Sequence, residues 1–201
     1  VGAFSLDACI TGGWNTAVGF DALGANTASG NTAFGRECMG LNVSGTENTA
    51  VGNGALGAAS GHYNTAVGSG ALAACTNSGN TAVGRTALVA VVAGSQNTAV
   101  GQNAGSAVVS GTYNAFFGYG AGGSNSGGTN TFLGPNAGGA GGGTGGGNVV
   151  VCLDAAYQMN GSDGTVAVGY HAMQLNTTGP YNTAIGHEAL MTNTTNNDNT
   201  A

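Results

Sequence analysis

The chain repeats one short motif, Asn-Thr-Ala-Val-Gly-x-x-Ala-Leu, along almost its whole length, and residues 64–72 hold its clearest copy. The glycine that closes Asn-Thr-Ala-Val-Gly, here called the marker, fixes the phase of each copy. Successive markers lie 16 to 18 residues apart, at Gly2, Gly19, Gly35, Gly52, Gly68, Gly84, Gly101, Gly118, Gly134, Cys152, Gly169 and Gly186. Such a repeat is too short for a helix-turn-helix unit, and at about 3.3 Å per extended residue it closes a loop of at most ~55 Å. The period therefore predicts an all-β parallel solenoid of about twelve coils.

Two neighbouring positions before the marker are apolar in nearly every coil. The alanine rank, two residues before the marker, comprises Ala17, Ala33, Ala50, Ala66, Ala82, Ala99, Phe116, Phe132, Val150, Ala167 and Ala184. The valine rank, directly before the marker, comprises Val18, Phe34, Val51, Val67, Val83, Val100, Phe117, Leu133, Val151, Val168 and Ile185. Since successive strand side chains point to opposite faces, both faces of this strand are apolar. One face can line the coil's own interior, and the other needs a second surface, most simply another copy. We therefore assign both ranks to the core of an oligomer.

An asparagine opens the motif in all but one of the copies that follow Gly2. The Asn rank comprises Asn15, Asn31, Asn48, Asn64, Asn80, Asn97, Asn114, Asn130, Asn148 and Asn182, and Thr165 is the exception. Stacked amides can bond to one another along the solenoid axis, as in cross-β ladders. A compatible alternative is that each Asn starts a turn, because its side chain caps its own backbone.

The second apolar segment of each coil, x-x-Ala-Leu after the marker, weakens in the middle of the chain. There the leucine position holds Gly105, Gly122 and Gly138. We expect Phe116, Phe117 and Phe132 to supply the lost volume, because cores tolerate exchanges that conserve total volume.

The amino-acid composition limits the kinds of partner that the chain is expected to bind. The chain has 41 glycines, no lysine and only two basic residues, Arg36 and Arg85, and its net charge is −6. Nucleic acid is not an expected partner, because nothing here neutralises phosphates. Membrane insertion is not expected either, since no apolar run approaches ~20 residues.

The array shows no internal boundary, and we treat residues 1–201 as one continuous repeat array. Laid end to end, Asn199-Thr200-Ala201 and Val1-Gly2 rebuild the motif. We expect the chain to be a segment of a longer fibre, or a subunit that stacks head to tail.

The four cysteines, Cys9, Cys38, Cys75 and Cys152, suggest no disulfide. Cys9 and Cys75 share a phase but lie four coils apart, about 19 Å, which exceeds disulfide reach. We expect all four to be small, mostly buried apolar residues, although Cys152 occupies a marker position and is unexplained there.

No motif predicts catalysis or cofactor binding. The Gly-x-Gly-x-x-Gly runs that begin at Gly52 and Gly118 open no helix, which the dinucleotide motif requires. His171 and Glu188, with His187 beside them, share a phase on adjacent coils, but a metal site needs a further ligand and a fixed outer shell. We predict no enzyme, no cofactor and no metal site.

Two sets of exposed residues are candidates for contact with sugars. Trp14, Tyr63, Tyr113 and Tyr181 each precede the motif Asn, where a ring either stacks on a sugar or packs into the corner. Four sequons in the connections make candidate glycosylation sites of Asn42, Asn160, Asn176 and Asn193.

The repeat resembles the head repeats of trimeric autotransporter adhesins, and it is more similar to the Asn-Thr-Ala-(Val/Leu)-Gly arrays of phage and viral tail-fibre proteins. The resemblance covers nearly the whole chain. It implies a left-handed parallel β-roll with three chains side by side, and it places Ala17, Val18 and their equivalents at the trimer centre. The period departs from the shorter coil of the adhesin heads.

We expect a homotrimeric fibre shaft, extracellular or on a virion, that acts as a rigid spacer or an adhesive stalk. Self-association, side by side and head to tail, is the expected partnership, with cell-surface glycans as a further partner. One alternative is an ice-binding solenoid that uses the threonines at positions 16, 32, 49, 65, 81 and 98. The other is a carbohydrate-binding tail-spike.

Overall fold

The computed structural model describes residues 2–58 and 61–201, and it forms a parallel β-solenoid. Eleven strands of three residues each follow one another: β1 Thr16–Val18, β2 Thr32–Phe34, β3 Thr49–Val51, β4 Thr65–Val67, β5 Thr81–Val83, β6 Thr98–Val100, β7 Ala115–Phe117, β8 Thr131–Leu133, β9 Val149–Val151, β10 Val166–Val168 and β11 Thr183–Ile185. They pair in chain order in one parallel sheet, and the described residues contain no helix. The predicted fold class is therefore confirmed, with about ten full turns rather than twelve.

The sheet is strictly in register with the repeat. In the first pair, for example, Ala17 lies opposite Ala33 and Val18 opposite Phe34. Each of the ten pairings joins the same motif positions of consecutive coils. Since neighbouring strands lie about 4.8 Å apart, ten steps give a sheet roughly 48 Å long. Each motif position thus becomes a straight column on the molecule.

The alanine rank fills the chain's own interior. From Ala33 to Ala184 every member is fully buried in the single chain, and Ala17 packs against the same core. Ala22 and Leu23, from the segment after the marker, close the core from the opposite wall. The implied position of these alanines at a trimer centre is corrected accordingly, because their surface is already covered by the chain itself.

Phenylalanine and glycine exchange places in the middle of the core. A β-carbon on Gly122 would lie 2.5 Å from Cε1 of Phe116, and one on Gly138 would lie 2.6 Å from Cε2 of Phe132. The two rings therefore occupy the space that leucine fills in other coils. Phe117 was expected to take part but points outward and is partly exposed, because it alternates with Phe116 along the strand.

The Asn rank lies inside the corner before each strand. The backbone N–H of Asn31 donates to Oδ1 of Asn15 at 2.9 Å, and this bond recurs from coil to coil. The side-chain Nδ2 donates to a backbone carbonyl of the following coil, as from Asn64 to Asn77 at 2.8 Å. Direct amide-to-amide bonds join some coils, including Asn97 to Asn80 at 3.1 Å. Each Asn thus satisfies buried backbone groups in two coils at once.

The marker position requires a backbone that glycine adopts readily. Gly68 has a φ of 130°, and a β-carbon there would lie 2.6 Å from the carbonyl oxygen of Gly84 in the next coil. Cys152 stands at the same phase with a φ of 109°. The coil therefore accepts a side chain at the marker only with an altered backbone.

Candidate interaction face

The outer face of the sheet carries two parallel columns of side chains. One is the valine rank. The other, the threonine rank, comprises Thr16, Thr32, Thr49, Thr65, Thr81, Thr98, Ala115, Thr131, Val149, Val166 and Thr183. Members of one column are about 4.8 Å apart along the axis, and the two columns are about 6.6 Å apart across the strands. The face is thus a ladder of hydroxyl groups beside a ladder of apolar groups.

The valine rank is exposed to solvent in the single chain. Ile185 is 64% exposed, Phe34 56% and Leu133 50%, and the remaining members are partly exposed. No second sheet or helix of the described residues lies over this face. A large continuous apolar patch at the surface of a protein usually marks an interaction site. A column of apolar side chains that runs the length of the molecule is such a patch.

The aromatic corner, formed by Trp14, Tyr63, Tyr113 and Tyr181, borders the threonine rank. These side chains are 60% to 90% exposed, so most of each ring is free of the corner. Each residue has a φ between 56° and 60°. The ring of Tyr181 lies over Gly164 in the preceding coil, where a β-carbon would be 2.9 Å from Cδ1. Corner packing therefore accounts for only part of the ring surface.

The histidine cluster differs from the sequence expectation. His171 Nε2 lies 3.6 Å from Oδ2 of Asp154 in the preceding coil, rather than pairing with Glu188. The ring of Tyr170 stacks on His171 at 3.7 Å and on His187 at 5.3 Å. Among residues 2–58 and 61–201, no group of three or more His, Cys, Asp or Glu side chains is arranged to hold a metal ion.

A shallow groove of about 410 Å³ runs beside Asp21, Glu37 and Leu41. It is open because Gly54 and Gly57 leave the neighbouring coils without side chains there. Arg36 Nη2 donates to Glu37 Oε1 at 2.5 Å in an exposed pair, which adds little stability. The motif does not predict this groove, because its depth depends on small residues one and two coils away.

Two of the four predicted glycosylation sites are wrong for the folded chain. Asn42 and Asn176 are fully buried, and each donates from Nδ2 to a backbone carbonyl three residues on, Gly45 at 3.0 Å and Gly179 at 2.9 Å. They occupy an inward-facing phase of the connection, which the sequon does not reveal. Asn160 is exposed and Asn193 is half-buried, so these two stay predictions.

The cysteines fall into two environments. Cys38 and Cys75 are buried, and burial raises the pKa of the Cys38 thiol to about 11 and also raises the pKa of the Cys75 thiol. Cys9 is half-buried. Cys152 is exposed, so its predicted burial is wrong, since the marker position lies outside the buried core and its glycines in other coils are at most half-buried. All four thiols are free.

Comparison of the chain with protein-family models, curated proteins and solved structures gives no match. The described residues form no helix with the length and apolar character needed to cross a membrane.

Proposed function

We propose that this chain is a structural fibre shaft, in which three copies lie side by side and cover one another's outer face. The observation that carries the proposal is the valine rank, an exposed apolar column that continues from β1 to β11. A second copy of the same chain matches this column in length and spacing, because its own repeat is identical. The number three comes from the resemblance to trimeric fibre repeats.

The energetics favour association over the whole length of the face. Fully burying one Val, Leu, Ile or Phe side chain contributes roughly 1.5–3 kcal/mol. Association costs on the order of 4–15 kcal/mol in lost translational and rotational freedom and in ordering. Several partly exposed members of the rank offset this cost, and a longer array offsets it more easily.

The proposed setting is extracellular or on a virion, where the rod acts as a rigid spacer or adhesive stalk and further segments continue it head to tail. The aromatic corner supports cell-surface glycans as an additional partner, since exposed rings present apolar faces with polar tips. Replacing Tyr63 and Tyr113 together with alanine should abolish retention on a glycan-coated surface, while Val92→Ala leaves it unchanged. Equal retention of both variants would count against this partner.

A pair of matched substitutions tests the fibre proposal. Val83 and Val92 are both exposed valines, but only Val83 lies on the outer face of the sheet. Val83→Glu should shift the assembly toward monomer in sedimentation velocity, because it places three carboxylates against one another inside the trimer. Val92→Glu should sediment as the parent protein does. Identical sedimentation of all three proteins would contradict the proposed face.

The threonine rank supports a second candidate function, binding to ice. Six consecutive coils from Thr16 to Thr98 present an outward threonine in register on one sheet. Beyond them the column is broken by Ala115, Val149 and Val166. A solution that shows thermal hysteresis, and loses it in Thr65→Leu, would favour this candidate. The fibre proposal expects none, because the copies cover the hydroxyl groups.

A further inference from the structure

The sequence contains two Asn-Gly pairs, Asn53-Gly54 and Asn160-Gly161. In such a pair the missing β-carbon of glycine lets its backbone nitrogen approach the side-chain carbonyl carbon of the asparagine. Both asparagines are exposed. The two pairs differ in what holds the glycine nitrogen.

The nitrogen of Gly54 is engaged in the structure. Its N–H donates to the carbonyl oxygen of Arg36, in the preceding coil, at 3.0 Å. Attack by this nitrogen on Asn53 therefore requires the bond between the two coils to open first. Opening of this kind costs free energy in an ordered part of a protein.

The nitrogen of Gly161 is not engaged in this way. Its N–H donates no hydrogen bond to any residue within 2–58 or 61–201. It faces Gly143 of the preceding coil, where an added β-carbon would come within 1.9 Å of the nitrogen, and no acceptor is bonded to it there. The N–H of Asn160 donates to the carbonyl of Thr177 at 2.6 Å, which anchors the residue while its side chain stays in solvent.

We infer that Asn160 is a site of spontaneous deamidation, and that Asn53 is protected. The Gly161 nitrogen gives up its proton to solvent base and bonds to Cγ of Asn160, and the bond from Cγ to Nδ2 breaks as ammonia leaves. Water then adds to either carbonyl carbon of the five-membered imide and opens the ring. The products are aspartate or isoaspartate, so one amide and one water become one carboxylic acid and one ammonia, with no oxidant or reductant.

The modification adds one negative charge to a chain that already carries −6. In the isoaspartate product the main chain is longer by one carbon at residue 160, next to the hydrogen bond from Asn160 to Thr177. The extra carbon displaces that corner of the coil. Asn160 lies in the connection and not on the outer face, so association of copies and deamidation are independent. Asn160 also opens the sequon Asn160-Gly161-Ser162. An N-linked glycan would be attached to Nδ2, the same nitrogen that leaves as ammonia in deamidation.

The test uses the full chain, purified from a bacterial host that adds no N-linked sugar. The folded protein is incubated warm at mildly alkaline pH and the peptides are separated and weighed over time. The Asn160 peptide should convert to two products of equal mass at least about tenfold faster than the Asn53 peptide, because only Gly54 must first open its hydrogen bond.

The same protein in concentrated urea supplies the control. There both peptides should convert at similar rates, since neither glycine is held. Comparable rates at the two sites in the folded protein, faster conversion at Asn53, or an Asn160 that converts only in urea would each overturn the inference. The comparison needs no variant, and Gly161→Ala, if it folds, should slow conversion at Asn160 alone.

Discussion

At the residue scale, the marker position shows most directly why this sequence repeats as it does. A side chain at Gly84 would meet the carbonyl of Gly101 at 2.5 Å, and the backbone there has a φ of 133°. A substituted residue must therefore push the next coil away as well as adopt a left-handed backbone. Glycine recurs at the marker because the spacing between coils leaves no room for a β-carbon.

The first prediction follows from this contact. Gly84→Ala should lower the free energy of unfolding by about 1–3 kcal/mol for the backbone conformation alone, with the clash adding to the loss. Gly13→Ala is the matched control, because its β-carbon would meet nothing within 4 Å and its backbone is not left-handed. Urea melts followed by circular dichroism measure both. Equal midpoints for the two variants would contradict the role of the marker.

The second prediction concerns the thiols. The thiolate is the reactive form, and burial raises the pKa of the Cys38 thiol from 9.0 to about 11. In the folded chain an alkylating reagent at neutral pH should therefore label Cys152 first and leave Cys38 and Cys75 unlabelled. Peptide mapping after a short exposure gives the order. Early labelling of Cys38 would show that the core opens readily.

The raised pKa also sets the direction of a pH effect. Between pH 9 and about 11 the unfolded chain holds fewer protons at Cys38 than the folded chain does, so stability falls as pH rises through that range. Below pH 9 this contribution is constant. Cys38→Ala should flatten the alkaline decline relative to the parent protein.

At the element scale, each strand and its opposing Ala-Leu segment form one layer whose volume is conserved. Leu23 and Leu56 fill the layer where the strand supplies Ala17 or Ala50, whereas Phe132 fills it where the opposing residue is Gly138. The layer therefore accepts either distribution of volume between its two walls, provided that the sum is kept.

This exchange gives the third prediction. Phe132→Ala should cost about 3–5 kcal/mol because it leaves a cavity, and Gly138→Leu alone should destabilise because its side chain collides with the Phe132 ring. The double variant rebuilds the layer found in the regular coils and should recover most of the loss. Urea melts of the three variants measure the coupling, and simply additive losses would contradict the exchange.

Much of the architecture could be predicted from the repeat, and the exceptions have physical reasons. The motif predicts where strands lie, because Thr-Ala-Val recurs at a fixed phase, and β1 to β11 occupy that phase. The alternation of side chains along a strand places Ala50 and Val51 on opposite faces, but it does not determine which of them faces the lumen. Alanine faces the lumen because its side chain is small enough to fit beside leucine in the narrow interior.

The connections were harder to predict than the strands. Asn42 and Asn176 are buried although their sequons suggested exposure, because the backbone between marker and strand follows tight turns rather than a period of two. The groove beside Asp21 and Glu37 depends on Gly54 in another coil. Contacts between coils of this kind are invisible to a pattern read within one coil.

At the scale of the whole molecule, the single chain is a rod with a buried core and one unpartnered face. Its interior is filled by the alanine rank and the Asn rank, whereas the valine rank forms a continuous apolar column at the surface. A monomer has to keep this column in water. Side-by-side copies remove it from water without any change in the fold, and the account predicts that they do.

The most direct measurement is the molar mass of the unmodified protein in solution, followed by sedimentation equilibrium during dilution. The single chain weighs 19.1 kDa. The account predicts an assembly of three times that mass that persists on dilution and loses its β-sheet circular dichroism only as it dissociates. A 19.1 kDa species that keeps the full β-sheet signal at every concentration would contradict it.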